Sequence, residues 1–542
     1  MQQPAAPVIT EPIPVHHYNK LCTFLFIVFL CILEFVFIPV SFIITYDTET
    51  SFGATWGFYT TASDMIFQGK FLYEYKIFCD LSIMMLVGYG FVFSYLRFNR
   101  WTALGLTFFI TMISLQYYVL FYGLWNSVWK LYIQGVFGYF YNISSPQLTY
   151  YIPVNLSVIH CAQKGAMCVL ITLGALIGKV DFFQMMCLAI WELLLYTLNE
   201  AILFRSLGLL DQGGSMYIYM FGAFFGICVS IFYSNKVTAF NNPNNRPSYS
   251  SGTVAFIGTF FLWIFMPSFN AYNLHHSYIE PARQVYYSVG SQGLFSTTVA
   301  GTTTGLGITL RFGMNSIKPI FNTNLQFLAI SNTYWALFVS TTVAFWASMI
   351  LKRGKFGLEH VLYSTLAGGV MIGASSEMYS VPYPALIIGA WAGAFSVWSY
   401  HVVSRCMDCF GFYDTVGVFH AFGLPGVWGG IASAIAVAGL SNNYYNGAHA
   451  GYNYIQHSYL PWYRTSYVQG AYQIAGLLIS LAFAIFGGII GGLFLRIWRC
   501  YNRPEDTFGD HIFWEMLEPS ERIPPDEQKL PPPPRPSPVL LY

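Results

Sequence analysis

Apolar runs long enough to cross a lipid bilayer dominate this sequence. A membrane-spanning helix needs about 20 residues, and only 9% of all residues are charged, against about 25% in a soluble domain. The pattern predicts an all-α polytopic membrane protein with about twelve transmembrane helices. The runs lie near residues 21–45, 80–97, 101–125, 155–178, 182–205, 216–234, 252–270, 330–351, 358–376, 382–404, 417–440 and 469–498.

The basic residues predict the orientation of these runs. Short connections rich in Lys and Arg stay in the cytosol, and an even number of spans leaves both chain ends on one side. The segment 1–20 and the proline-rich tail 499–542 are therefore predicted to be cytosolic, with a transmembrane domain over 21–498 between them. The opposite face receives the longer connections, including an insert at about 271–329 and a glycosylation sequon at Asn142. The basic connections are those with Arg97, Arg100, Lys179, Lys236, Arg246, Lys352, Arg353, Lys355 and Arg405.

Several classes of protein are excluded by composition and motif. The 25 basic and 24 acidic side chains nearly cancel to a net charge of +1, which gives no basic patch for nucleic acid. The isolated pair Cys406 and Cys409 lacks a second ligand pair at zinc spacing and is interpreted as part of a cytosolic loop. No catalytic motif is present, so we expect no enzymatic activity, no cofactor and no metal.

Small residues recur at helical spacing inside the runs. In lipid, helices associate through close backbone contact at such small residues, so these glycines are interpreted as packing positions. The pairs are Gly222 with Gly226, Gly369 with Gly373, Gly389 with Gly393, Gly426 with Gly430, Gly487 with Gly491, and Gly488 with Gly492.

Polar residues inside the apolar runs need a different explanation. An ionisable group at membrane depth costs at least about 2.5 kcal/mol on insertion scales, so it caps a helix, pairs inside the bundle or lines a path. Asp211 and Asp414 each precede a helical run, which favours a capping role. The set comprises Asp80, Glu200, Asp211, Asn270, Glu377, Asp414 and His420.

The motifs around these residues resemble the Rhesus glycoprotein branch of the ammonium transporter (Amt/Rh) family, in the family's order and over most of the chain. The resemblance implies two pseudo-symmetric halves around a central pore, a homotrimer, and a plasma-membrane location, with an organellar membrane as the alternative. The motifs are FCDLSIMMLVGYGF around Asp80, GALIGKV at 174–180, Asn199-Glu200, DQGGSMYIYMFGAFFG at 211–226, GTFFLWIFMPSFN at 258–270, STLAGGVMIGASSEM at 364–378 and DTVGVFHAFGLPGVWGG at 414–430.

The resemblance also implies a path for ammonia or ammonium. Phe269 matches one ring of the family's aromatic gate, and Trp125 falls close to the other. Asp211 matches an acid that orients backbone groups at the start of a pore helix. Glu200 matches a vestibular acid, expected near the cytosolic mouth.

The sequence departs from the family at the centre of this path. Tyr219 and Phe422 occupy the positions at which the family carries its two pore histidines. His420 lies two residues from Phe422, which turns it by about 200° on a helix. His420 is therefore assigned to the residues along the path but is not expected to replace the missing histidine.

Two functional interpretations remain open at this point. The first is an ammonia or ammonium channel or transporter with a degenerate, histidine-free filter and weak conduction. The second is a conduction-dead, Rhesus-like structural subunit of a larger membrane complex. The retained motifs around Glu200, Asp211 and Phe269 favour the first, and the substitutions at Tyr219 and Phe422 favour the second.

Overall fold

The computed structural model describes residues 20–46, 73–141, 152–232, 245–272, 323–439, 465–497 and 508–515. The sequon at Asn142, residues 273–322 of the predicted insert and the proline-rich end of the tail at 516–542 lie outside the described residues.

The described residues form thirteen α-helical segments, and all twelve predicted apolar runs overlap with them. Nine helices are long and apolar enough to cross a membrane, and Ser215–Ser230 is a shorter apolar helix. The prediction of a polytopic helical membrane fold is confirmed. The segments are α1 Lys20–Val40, α2 Tyr73–Phe93, α3 Arg100–Tyr141, α4 Leu156–Leu176, α5 Phe182–Ser206, α6 Ser215–Ser230, α7 Tyr249–Ala271, α8 Thr323–Leu351, α9 Leu358–Ser364, α10 Ala367–Ile372, α11 Tyr383–Phe410, α12 Phe419–Gly439 and α13 Ser466–Ile497.

The predicted run at 358–376 is not one continuous helix. It divides into α9, α10 and a 3₁₀ turn at Gly373–Ser375. The Ser340 hydroxyl of α8 donates to Ser364 O at 3.0 Å and accepts from Gly368 N at 3.1 Å. A side chain thus satisfies backbone groups that the break leaves without a helical partner, as a membrane interior requires.

Two helix boundaries and one small sheet differ from prediction. Helix α3 continues to Tyr141, so the predicted end of its apolar run at residue 125 is wrong. Residues 127–141 contain no proline, the residue that most strongly breaks a helix, so the helix continues past Asn126 and Ser127. Helix α8 begins at Thr323, inside the predicted insert. A two-stranded parallel sheet pairs β1 (Ile44–Tyr46) with β2 (Ile152–Val154), which the sequence analysis did not anticipate.

Glycines allow the helices to approach closely. A Cβ atom at Gly222 would lie 2.5 Å from Cys168 O, and one at Gly389 would lie 2.3 Å from Ala336 O. At Gly426 the nearest atom would be Ser215 O at 2.4 Å. Each distance is to backbone, which cannot move aside. The interpretation of these glycines as packing positions is confirmed.

The predicted basic connections meet at one end of the bundle. Arg97 N donates to Arg246 O at 3.0 Å, and the Lys179 ammonium donates to Tyr413 O at 2.7 Å. Phe508 N donates to Gly178 O at 3.0 Å, so a short part of the tail reaches the same end. Cys406 and Cys409 lie within α11, not in a loop.

The tail segment 508–515 packs against the helical domain. Asp510 N donates to Phe98 O at 2.7 Å, and the Asp510 carboxylate accepts three backbone N–H groups at the start of α3. Its oxygens lie 2.7–3.2 Å from the nitrogens of Arg100, Trp101 and Thr102. A residue beyond the predicted boundary at 499 therefore caps a helix of the transmembrane domain.

Candidate functional site

A column of aromatic rings fills the middle of the bundle. The rings of Tyr219 and Phe422 are stacked, with centroids 5.5 Å apart and planes 10° from parallel. Phe269 meets the Tyr219 ring edge-on at 5.7 Å, and Tyr89 lies 5.9 Å from Phe422. All four side chains are at most 2% exposed. The structure therefore brings together Phe269, Tyr219 and Phe422, three of the residues assigned to the path from the sequence, and adds Tyr89.

Two aspartates hold the helices that carry this column. Asp211 accepts the backbone N–H groups of Ser215, Met216 and Tyr217 at 2.8, 2.8 and 3.2 Å. These groups start α6, which carries Tyr219. The predicted capping role of Asp211 is confirmed.

Asp414 has the same role in the second half of the chain. It accepts the N–H groups of Gly417 and Phe419 at 2.9 and 2.8 Å. Phe422 follows Asp414 by eight residues (422 − 414), and Tyr219 follows Asp211 by eight (219 − 211). The two halves thus place one aspartate and one stacked ring at equal spacing.

A serine joins the start of α6 to the broken helix. The Ser215 hydroxyl donates to Val370 O at 2.7 Å and accepts from Ala374 N at 2.8 Å. Asn270, at the end of α7, donates from its amide to Gly369 O and to the Thr333 hydroxyl, both at 3.0 Å. These bonds fix the broken helix against the ends of α6 and α7, beside the column.

The column presents hydroxyl groups but no basic side chain at its centre. Tyr219 Oη and Tyr89 Oη are buried and have no hydrogen-bond partner within the described residues. Phe422 adds a ring face without an exchangeable proton. Such a site is able to hydrogen-bond a small neutral molecule at two hydroxyls, and its centre lacks an imidazole.

Lys164 is the most notable charged residue that the sequence analysis missed. It lies inside α4 and is 1% exposed. Its Nζ lies 5.5 Å from the centre of the Phe269 ring and 4.7 Å from that of Tyr272. It also lies 3.4 Å from Tyr217 Oη, to which it donates. A lysine within the apolar run 155–178 is the signal that would have found it.

Glu192 was missed as well. It is fully buried in α5 and its Oε1 atom lies 2.7 Å from the Thr172 hydroxyl. The same hydroxyl lies 2.8 Å from Gly222 O, at the contact between α4 and α6. The sequence analysis did not single out Glu192 because the flanking residues keep the run 182–205 strongly apolar.

Glu200 and Trp125 line a cavity of about 220 Å³ at one end of the bundle. The Tyr118 hydroxyl donates to Glu200 Oε2 at 2.7 Å, and Trp125 Nε1 donates to Leu194 O at 3.3 Å. The remaining lining residues are Tyr122, Cys161, Thr197, Ala201, Phe204, Arg205 and Tyr217.

This cavity corrects the expected position of Glu200. Cys161 lines it near the start of α4, whereas Lys179 follows the other end of α4. Glu200 therefore lies at the end opposite the basic connections, and the expectation that it lies near the cytosolic mouth is wrong. Helix α5 begins at Phe182, directly after the basic connection with Lys179, and Glu200 lies near its other end. The position of Glu200 along its predicted run was therefore enough to place it at the end opposite the basic connections.

His420 faces away from the column. Its Nδ1 lies 3.1 Å from the Ser399 hydroxyl and its Nε2 lies 2.9 Å from the Ser404 hydroxyl, both on α11. Its ring is edge-on to Tyr400 at 5.4 Å. Although the sequence analysis included His420 among the residues of the path, both ring nitrogens are occupied on the opposite face of α12 from Phe422.

Comparison with known proteins assigns the fold and the family. The sequence matches the family described as "Ammonium Transporter Family" over residues 41–323 and 312–505. It is 31% identical to "Ammonium transporter Rh type C" of Homo sapiens over 467 residues, covering 84% of this chain and 82% of that protein. It is 30% identical to "Ammonium transporter Rh type B" of Mus musculus over 453 residues, covering 82% and 84%.

Solved structures agree with this assignment at the level of the fold. The Rh50 channel of Nitrosomonas europaea aligns with a TM-score of 0.59 at 23% identity, covering 85% of this chain and 96% of that one. A structure titled "Sensor Amt Protein" aligns with a TM-score of 0.55 at 17% identity, covering 81% and 96%. The family consists of transporters and channels, which confirms the prediction that the chain is not an enzyme. On its sequence match, its relatives and its fold, this chain belongs to the ammonium transporter family.

Proposed function

We propose that this protein is a Rhesus-type ammonia channel of the plasma membrane whose filter is closed by aromatic rings, so that it conducts neutral ammonia slowly and ammonium weakly or not at all. One observation carries the proposal: the stack of Tyr219 on Phe422, 5.5 Å between centroids and buried on all sides. Two rings in this arrangement fill the space that a conducting pore would need. The path runs from the Glu200 cavity, past Tyr217 and Phe269, to this stack.

The chemistry of the stacked residues supports weak ammonium transport. Ammonium loses its hydration in a narrow apolar pore, and passage is easier when a base accepts its proton and neutral ammonia crosses. Histidine suits this role because its ordinary pKa is about 6.5, whereas that of tyrosine is about 10 and phenylalanine has no exchangeable proton. We propose that Tyr219 and Phe422 stand where conducting relatives carry the two histidines.

Flux measurements in liposomes test this proposal. The purified protein is reconstituted, an ammonium gradient is applied, and internal pH is followed with a trapped dye. We expect flux close to that of empty liposomes for the natural protein and a rise in the Tyr219→His, Phe422→His double variant. The His420→Gln variant is the matched control, because His420 faces α11, and it should leave the flux unchanged.

Two outcomes would contradict the closed-filter argument. If the natural protein matched the flux of a histidine-bearing relative, the stack would not obstruct the pore. If the double variant folded but gained no flux, the obstruction would lie elsewhere in the path.

The second candidate function is a structural subunit of a larger membrane complex. The buried, tightly stacked rings favour it, because a chain without transport needs no open pore. We propose a homotrimer as the basic assembly, and many large apolar side chains at the surface leave room for further contacts, among them Phe35, Phe260, Trp346, Ile387, Ile435 and Phe486. The mass of the particle extracted in mild detergent tests this. A trimer of this chain alone favours the channel, stoichiometric copurification with other membrane proteins favours the subunit, and a monomer refutes the trimer.

A further inference from the structure

The Lys164 ammonium lies between the Glu200 cavity and the ring column. Tyr217 lines the cavity and accepts a hydrogen bond from Lys164 at 3.4 Å. Phe269 lies beneath the Lys164 ammonium at 5.5 Å and packs edge-on against Tyr219. A solute moving from the Glu200 cavity to the column would therefore pass the position of this amine.

The surroundings of Nζ are those of a binding site for a small cation. The faces of Phe269 and Tyr272 attract a positive charge electrostatically, and both centroids lie within the range of about 6 Å over which this attraction acts. The hydroxyl of Tyr217 accepts a hydrogen bond. The charges of Glu200 and Asp211 act on the amine through space. Aromatic faces, one oxygen acceptor and nearby carboxylates suit a primary ammonium group, whether it is free or covalently attached.

The cation in this site belongs to the protein. Lys164 reaches the site from α4 and Tyr217 from α6, while Phe269 lies in α7 and Tyr272 directly follows the last residue of α7. The three aromatic side chains and the lysine are each at most 1% exposed. The amine thus makes one hydrogen bond and two cation–π contacts without any solute.

We propose that the Lys164 ammonium is a tethered occupant of the cation site above the ring column, and that it excludes small monovalent cations such as ammonium and methylammonium from this site. The inference rests on the proposed function for the identity of the solute, but it concerns a different residue and a different step. The stack of Tyr219 and Phe422 obstructs passage, whereas Lys164 prevents binding.

The expected size of the exclusion is large. Two monovalent charges about 5 Å apart at an effective dielectric constant of about 20 weaken the binding of the second by about 250-fold. Because the Lys164 ammonium already lies over the faces of Phe269 and Tyr272, a second cation also lacks these contacts, and its binding is weakened further. Removal of the charge with little change in length should therefore raise the affinity for a small cation by well over tenfold.

Binding of methylammonium chloride to the purified full-length protein tests the proposal without relying on conduction. Thermal unfolding is followed in detergent at increasing methylammonium chloride, with sodium chloride at the same ionic strength as the reference. A ligand that binds only the folded state raises Tm in a saturable manner. We expect no methylammonium-specific rise for the natural protein and a saturable rise of a few degrees for Lys164→Met.

Two variants serve as controls. Lys164→Arg keeps a cation above the rings and should gain no binding. Lys179→Met removes a second buried lysine, which follows the opposite end of α4, and should also gain none. If Lys164→Met does not fold, Lys164→Gln provides the same loss of charge with a polar end.

The outcomes separate this inference from the proposed function. A folded Lys164→Met or Lys164→Gln variant without a methylammonium-specific rise overturns the inference, and so does a saturable rise in the natural protein. Loss of flux when Lys164→Met is added to the double-histidine variant also overturns it, because Lys164 would then assist transport. Gained binding with no flux in any variant supports the inference and contradicts conduction.

Discussion

Replacement of Asp211 by alanine should be among the most damaging single substitutions in the protein. The Asp211 carboxylate accepts three backbone N–H groups at the start of α6 and is fully buried. Without it, three donors are left in an interior that offers few alternative acceptors. Because α6 carries Tyr219, the change acts on both stability and the geometry of the ring column.

The magnitude follows from the number of donors. A buried donor left unsatisfied costs about 1–3 kcal/mol, so three donors give about 3–6 kcal/mol once some relaxation is allowed. A matched comparison is Asn155, which caps α4 by accepting a single N–H group, that of Val158, at 3.0 Å. Loss of one such cap costs about 1 kcal/mol.

The assay compares Asp211→Ala and Asn155→Ala with the natural protein. Each is purified in mild detergent and unfolded in mixed micelles of increasing SDS content, with tryptophan fluorescence as the signal. We expect the free energy of unfolding to fall about three to six times as far for Asp211→Ala as for Asn155→Ala. Equal losses, or a smaller loss for Asp211→Ala, would refute the view that three N–H groups depend on this carboxylate.

Three further predictions concern other parts of the fold. Burial lowers the pKa of Lys179 to about 7, against the opposing charge of Asp414. Because the unfolded chain keeps this proton up to its ordinary pKa of 10.5, the stability of the folded protein should rise from pH 7 towards pH 10. Thermal unfolding of Lys179→Met at the same pH values should show a smaller rise. Gly222→Ala should lower Tm by several degrees, since its Cβ would meet backbone at 2.5 Å, whereas Gly439→Ala meets nothing within 4 Å and should be neutral. Asp510→Ala should cost about 1–2 kcal/mol by uncapping α3, less than Asp211→Ala although both carboxylates accept three N–H groups, because the start of α3 at Trp101 is exposed. Proteolysis should then cleave the tail segment faster.

Hydropathy was sufficient to predict the helices but not their interruptions. A bilayer selects for long apolar runs, so the spans around Phe269 and Phe422 were evident in the sequence. The division of 358–376 into α9 and α10 depends on the Ser340 hydroxyl of another helix. No local pattern records such a contact, because it joins residues distant in sequence.

The candidate site was predicted in part for a similar reason. Phe269, Tyr219 and Phe422 were found through motifs, and the structure places them in contact. Tyr89 and Lys164 lie in other runs and join them only in three dimensions. A single lysine barely changes the mean hydropathy of the run 155–178, so averaging hydropathy over a window of residues does not reveal it.

The three central rings share an unusual backbone. Tyr89, Tyr219 and Phe422 each lie in a π-helical turn, at Met84–Tyr89, Ser215–Met220 and Phe419–Gly423. Such a turn holds one residue more than an α-helical turn. Deletion of one residue would restore α-helical winding and rotate the following side chains by about 100° relative to those before it. The loss of one codon would thus turn a ring out of the column without replacing it, and the gain of one codon in a uniformly α-helical ancestor is enough to create each turn.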